Sequence, residues 1–360
     1  MKNKQKKLYI EFIRICACFC VIFTHTMERG YFLFASYPEN SMQYWLYMMF
    51  SVFCKAAVPV FFSLSGALLI SKEESLKDLY KKRILKMVLV LILFSFLYYL
   101  RSILDDIRTF SFGIFIKDLL ISNWNFTFWY LYAFILFLIS LPFLRVMTKN
   151  MKREHFYYLF VIVFIFRSVL PITEYLLWQG SEHFNGNIRS IWLAADIFIY
   201  PILGYFLEHE IENDKCKKWI LPLWIINIIT ILITCLMTYY QIKITGVCEE
   251  NKSQTFFSCF TMINVSTVYI SVKYWFAKKK VSVLNEKVIG SLGSATFGMY
   301  LVHLLFLNLF PVVPRLWPVL ENVFGTNSMI SVIIICFVVM VMSYIATLIM
   351  KKIPVLKRLL

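Results

Sequence analysis

Leu8-Tyr9-Ile10-Glu11-Phe12-Ile13-Arg14-Ile15-Cys16-Ala17-Cys18-Phe19-Cys20-Val21-Ile22-Phe23-Thr24-His25-Thr26-Met27 is an apolar run that follows four lysines and is interrupted by three ionisable side chains, Glu11, Arg14 and His25. A basic leader ahead of an apolar run resembles a secretion signal. The charges inside this run and the lack of a small-x-small cleavage site make it a retained first helix instead. Crossing a hydrocarbon core of about 30 Å takes about 20 helical residues. Comparable runs recur at about 43 to 70, 84 to 104, 126 to 144, 156 to 172, 190 to 207, 219 to 240, 255 to 277, 291 to 310 and 329 to 350. The fold class read from this pattern is all-α: a polytopic membrane helix bundle of about ten transmembrane helices. Composition agrees, because 16% of residues are charged where a soluble chain has about 25%. Aromatic residues gather at the span ends, as in Tyr44, Trp45 and Tyr47, the pattern of an interfacial belt.

Charge sets the orientation. Of the 37 Lys and Arg residues, 24 fall in one alternating set of inter-span segments. Basic loops stay in the cytoplasm, so both termini are expected there, in a plasma membrane or bacterial inner membrane. The same loops account for most of the +16 net charge, which makes membrane lipid the partner and leaves no call for nucleic acid. Residues 1–360 read as a single transmembrane domain, with no linker tract and no appended extracytoplasmic domain. Most of the nine cysteines lie inside apolar runs without CxxC or Cys/His spacing, so no metal site is expected.

An ionisable group inside a span costs a few kcal/mol and marks a candidate functional position. Arg14 and His25 are 11 residues apart, which returns them to within about 20° on one helix face and separates them by about 16 Å. One elongated ligand could touch both. Glu11, three residues before Arg14, is placed to pair with it; mutual neutralisation and a snorkelling His25 are the bland alternative. In the ninth helix, His303 lies about 18 Å from the start, at a depth matching His25. Asp196 enters the sixth helix near the same layer. It is either the third group of a nucleophile-base-orienter relay or a helix-helix polar contact. Lys81, Lys82, Arg83 and Lys86 open the third helix, serving topology, with a subset able to hold phosphate. Lys55 sits mid-span just ahead of Val58-Pro59-Val60-Phe61-Phe62-Ser63-Leu64-Ser65-Gly66, where proline and glycine free backbone groups and permit close helix approach.

Taken in order, these residues resemble the membrane-bound acyltransferase-3 family. The resemblance rests on Arg14-x10-His25 preceded by Glu11, on Phe61-Phe62-x-x-Ser65-Gly66, on the basic start of helix three, on Phe128-Trp129-Tyr130-Leu131 and on Tyr300-Leu-x-His303. It implies transfer of an acyl group, most simply acetyl, from cytoplasmic acetyl-CoA to a hydroxyl of a cell-surface or exported glycan, possibly lipid-linked. Acetyl-CoA is then a co-substrate, with no cofactor bound permanently. The expected roles are His25, His303 and Asp196 in catalysis, and Arg14, Glu11, Arg83, Lys86 and Lys55 at the donor. Trp129, Tyr130, Tyr300, Ser65 and Gly66 are expected at the acceptor or its pocket. The family often carries Arg-x-x-Arg at the start of helix three. Here Arg83-Ile-Leu-Lys86 keeps the charge without the second planar fork. No GxSxG elbow is present, against a serine-hydrolase mechanism. Two rivals stand: a transporter of a glycan precursor or small anion lined by the same residues, and an inactive partner of a glycan-export complex. Consumption of acetyl-CoA separates the enzyme from both.

Overall fold

The computed structural model describes residues 2–104, 109–179, 184–185, 191–248, 256–279, 281–309 and 312–360. In chain order the helices are α1 (Lys2–Thr24), α2 (Met42–Cys54), α3 (Ala57–Leu69), α4 (Leu76–Leu104), α5 (Phe112–Ile121), α6 (Trp129–Asn150) and α7 (Arg153–Trp178). They continue as α8 (Asp196–Tyr205), α9 (Cys216–Thr245), α10 (Thr261–Lys278), α11 (Val283–Leu304), α12 (Val312–Phe324), α13 (Met329–Met350) and α14 (Pro354–Leu359). No strand occurs among the described residues.

Among the described residues seven helices are long and apolar enough to cross a membrane, against about ten expected: the joined α2–α3, then α4, α6, α7, α9, α11 and α13. The other three expected crossings are helical but shorter or more polar. In α1 the run carries Glu11 and Arg14; α8 begins only at Asp196, where the sequence suggested a start near 190; α10 holds Asn264, Thr267 and Lys273 on its buried face.

Contacts divide the chain into two compact units, Met1–Leu68 with Met151–Ile349, and Leu69–Asn150 with Met350–Leu360. In the first, small residues bring backbones together. A Cβ on Gly66 would lie 2.0 Å from the Pro201 carbonyl oxygen, and one on Gly204 would lie 1.8 Å from that of Ser63. Helices α3 and α8 therefore touch backbone to backbone, the membrane form of close packing. The α2–α3 span breaks at Lys55 and Ala56, because Pro59 has no N–H to offer the Lys55 carbonyl four residues earlier. The same logic applies in α7, where Pro171 follows Arg167 by four residues and the chain widens into a π-turn at Ile165–Val169.

The second unit packs α4 against α5 and α6 around Phe96, Tyr99, Phe115 and Trp124. The Tyr99 hydroxyl accepts from the Ser111 N–H at 2.5 Å and donates to the Ser111 carbonyl at 3.0 Å, which fixes the entry to α5.

Candidate active site

Helices α1 and α11 run parallel in the first unit. Midway along them, Gly293 leaves room for Glu11, whose Oε2 a Cβ would meet at 2.4 Å. Farther along, Gly298 admits Thr347 of α13, so α11 is held between two neighbours. At their far ends the helices bring His25 and His303 together. Beyond Thr24 the chain leaves the helix: Thr26 donates its hydroxyl to the Phe23 carbonyl and accepts from the Tyr31 N–H, and Met27 takes a left-handed conformation with φ 48°. A non-glycine residue in that region costs on the order of 1 kcal/mol and is held there by its surroundings. Here the Met27 carbonyl accepts from both Gly30 and Phe32.

The two imidazoles share a hydrogen bond, His25 Nδ1 to His303 Nε2 at 3.0 Å, with ring centroids 5.0 Å apart. His303 Nδ1 lies 2.6 Å from the Tyr300 carbonyl oxygen. A carbonyl only accepts, so Nδ1 of His303 must carry its proton. Neutral His303 then accepts at Nε2, and His25 donates from Nδ1. The lone pair of His25 is thereby assigned to Nε2. The carbonyl, His303 and His25 form a chain that orients the His25 ring, as the third group does in a hydrolase triad. His303 is 1% exposed and His25 is half-buried. Lys55, at the break between α2 and α3, lies within electrostatic range of the His25 ring.

The remaining expected residues fall into distinct settings. Arg14 and Glu11 form the ion pair their spacing predicts, Nη1 to Oε1 at 2.8 Å, both partly exposed. The second Glu11 oxygen, Oε2, is buried and has no hydrogen-bond partner among the described residues. Asp196 is engaged by Arg167, whose Nη1 also donates to the Ala194 carbonyl at 2.9 Å, while the guanidinium lies 5.3 Å from the Tyr200 ring centre. This pairing joins α7 to α8, as a helix-helix polar contact does. Gly66 is filled by the Pro201 backbone, and the half-buried Ser65 donates to the Phe61 carbonyl at 2.8 Å. Tyr300 contributes its backbone carbonyl to His303, with its ring 6.1 Å from that imidazole.

In the second unit, Trp129 is 44% exposed and the Tyr130 ring stacks on Phe134. Arg83 donates through both Nε and Nη2 to Glu74, at 2.8 to 3.1 Å, and Arg145 Nη2 stands 3.4 Å from the same carboxylate. Hydrogen bonding from Arg83, helped by the Arg145 charge, holds the Glu74 carboxyl below the usual carboxylate range. The planar fork that a donor phosphate would use is thus occupied by a carboxylate. Lys86, one turn on, is half-buried within electrostatic range of Arg83 and Lys351.

Sequence reasoning missed a buried network in the first unit. Tyr9 and Tyr269 both donate to Glu208 Oε2, and Lys273, 3% exposed, donates to the carbonyls of Leu207, Glu208 and Ile211 at 2.7 to 2.9 Å. The ammonium caps the π-turn that ends α8, where unpaired carbonyls collect. A lone lysine in an apolar run was the only signal, and it does not name its partners.

The apolar helices and the imidazole pair between two of them define a multi-pass membrane protein with a polar site inside its bundle. A family model described as an acyltransferase domain matches residues 7–348, and the chain belongs to the acyltransferase-3 family. No curated protein and no solved structure matches it.

Proposed function

We propose that this membrane acyltransferase moves an acetyl group from acetyl-CoA to a hydroxyl of a cell-surface or exported glycan, with His25 as general base. The observation that carries this reading is the His25–His303 hydrogen bond, which assigns the His25 lone pair to Nε2. In the proposed step Nε2 takes the proton of an acceptor hydroxyl as its oxygen attacks the thioester carbonyl. The C–O bond forms, the C–S bond breaks, and the departing thiolate recovers the proton from the imidazolium. His303 stabilises that imidazolium through the Nδ1–H bond. Lys55, within electrostatic range of the ring, is assigned to the charge of the tetrahedral oxyanion. Arg14, on the same face of α1 and about 16 Å away, is assigned to the donor phosphates, with Glu11 holding its guanidinium. Arg83 reaches a donor only by releasing Glu74, so Lys86 is the better candidate among the basic residues that open α4.

In this reading the chain crosses the membrane about ten times, with both termini and acetyl-CoA on the cytoplasmic side of a bacterial inner or plasma membrane. The test is mass spectrometry of surface glycans from a deletion strain complemented with wild type or with His25→Ala. Ester-linked acetyl should return with the wild type alone. Acetylation restored by His25→Ala would refute the catalytic role, and glycans unchanged by the deletion would refute the acceptor class.

A further inference from the structure

The second unit holds a cleft that the transfer chemistry does not use. It has a volume of about 820 Å³ and is walled by Leu89, Ile92, Leu93 and Phe96 of α4, Phe112 and Phe115 of α5, and Pro354, Val355, Arg358 and Leu359 of α14. That volume falls in the range of about 300–1,000 Å³ typical of sites that enclose a small ligand. Nine of the ten wall residues are apolar and the tenth is a guanidinium. From Leu89 to Phe96 the α4 wall runs about 10 Å.

Several side chains along the cleft face outward rather than into protein: Val355 is 65% exposed, Phe112 63% and Leu89 46%. In a chain with seven membrane-length helices among its described residues, the medium against such a face is lipid. Electrostatics narrows the occupant. Residues 351–360 carry Lys351, Lys352, Lys357 and Arg358 and no acidic residue. Lys86 of α4 lies within range of Lys351. Among the described residues no carboxylate pairs with Arg358. A neutral lipid would fill the apolar wall and leave the Arg358 guanidinium without a counter-charge, whereas a soluble anion would meet Arg358 and leave the apolar wall unfilled.

We propose that the cleft between α4, α5 and α14 binds an anionic phospholipid of the bilayer, its acyl chain along Leu89 to Phe96 and its phosphate on Arg358. This site stands on the second unit alone and does not depend on the acyl-transfer reading. A cation near an anionic bilayer surface is worth about 1 kcal/mol, or about fivefold in binding.

The test is native mass spectrometry of the purified full-length protein titrated with phosphatidylglycerol or phosphatidylcholine of matched chains. Wild type should retain phosphatidylglycerol about fivefold better, Arg358→Gln should erase that preference, and Leu93→Trp, which fills the cleft, should weaken both lipids. Val355→Trp replaces Leu93→Trp if the latter lowers the melting temperature. Equal retention of the two lipids by wild type, an undiminished preference in Arg358→Gln, or retention unaffected by filling the cleft would overturn the proposal. Displacement of the lipid by soluble glycerol phosphate at equal concentration would also overturn it, in favour of a free-phosphate site.

Discussion

Replacing His303 by alanine removes the acceptor of the His25 Nδ1–H bond without touching His25 itself. In the resting state that hydrogen bond joins two neutral rings, but once His25 takes a proton it becomes charge-assisted. Such bonds contribute about 1.5–3 kcal/mol, which at about 1.4 kcal/mol per decade is a loss of roughly 10- to 150-fold in kcat. KM for acetyl-CoA should hardly move, because Arg14, assigned to the donor phosphates, lies about 16 Å from His25 along α1. His303→Asn offers an amide oxygen to the same N–H and should recover part of the loss. The assay is transfer of labelled acetyl from acetyl-CoA by the purified protein in lipid nanodiscs, with melting temperature followed to separate misfolding from chemistry. The double variant His25→Ala/His303→Ala should be no slower than His25→Ala, since the second imidazole acts only through the first. A kcat for His303→Ala within twofold of wild type, or independent multiplicative losses in the double variant, would refute the relay.

Three further outcomes concern the scaffold. Gly66→Ala should lower stability by about 1–3 kcal/mol in thermal melts, the usual cost of overpacking, because its Cβ meets the Pro201 backbone, whereas Gly113→Ala, with nothing within 4 Å, should not. Lys273→Met strips an ammonium from three carbonyls and from Glu208. It should cost about 3–5 kcal/mol, as removal of one member of a buried charge pair does, again read by melting. Glu74 has its folded pKa depressed by Arg83, so its contribution is fully present above the unfolded value of about 4.3. That contribution is lost as pH falls through the folded value; a melting profile against pH should therefore drop at the acid end in wild type and flatten there in Glu74→Gln.

Features set within one helix were legible in the sequence. The Glu11–Arg14 pair needed only a three-residue spacing, whereas the break at Lys55 and Ala56 falls inside the one span expected at about 43 to 70, where only Pro59 marked freed backbone groups. The depth match of His25 and His303 followed from helix rise, and the family resemblance drawn from these motifs extends over residues 7–348. What the sequence withheld was the identity of neighbours. Nothing in α8 says that Asp196 meets Arg167 of α7, or that Glu74 closes on Arg83 through a turn and reaches Arg145. Lys273 is a charge in an apolar run that the sequence reading passed over, and its ligands are backbone carbonyls that any sequence would supply. The helix count differed where polar residues are tolerated because protein surrounds them: Asn264 and Lys273 of α10 are buried, so mean hydropathy understates how well that helix fits a bundle.

The most direct measurement is the fate of labelled acetyl-CoA mixed with purified protein in nanodiscs and the host strain's deacetylated surface glycan. Label should appear on the glycan as a base-labile ester with wild type and fall to background with His25→Gln of unchanged melting temperature. Equal labelling by the two proteins, or none by either while wild type carries the glycan across a membrane intact, would contradict a transferase built on the His25–His303 pair.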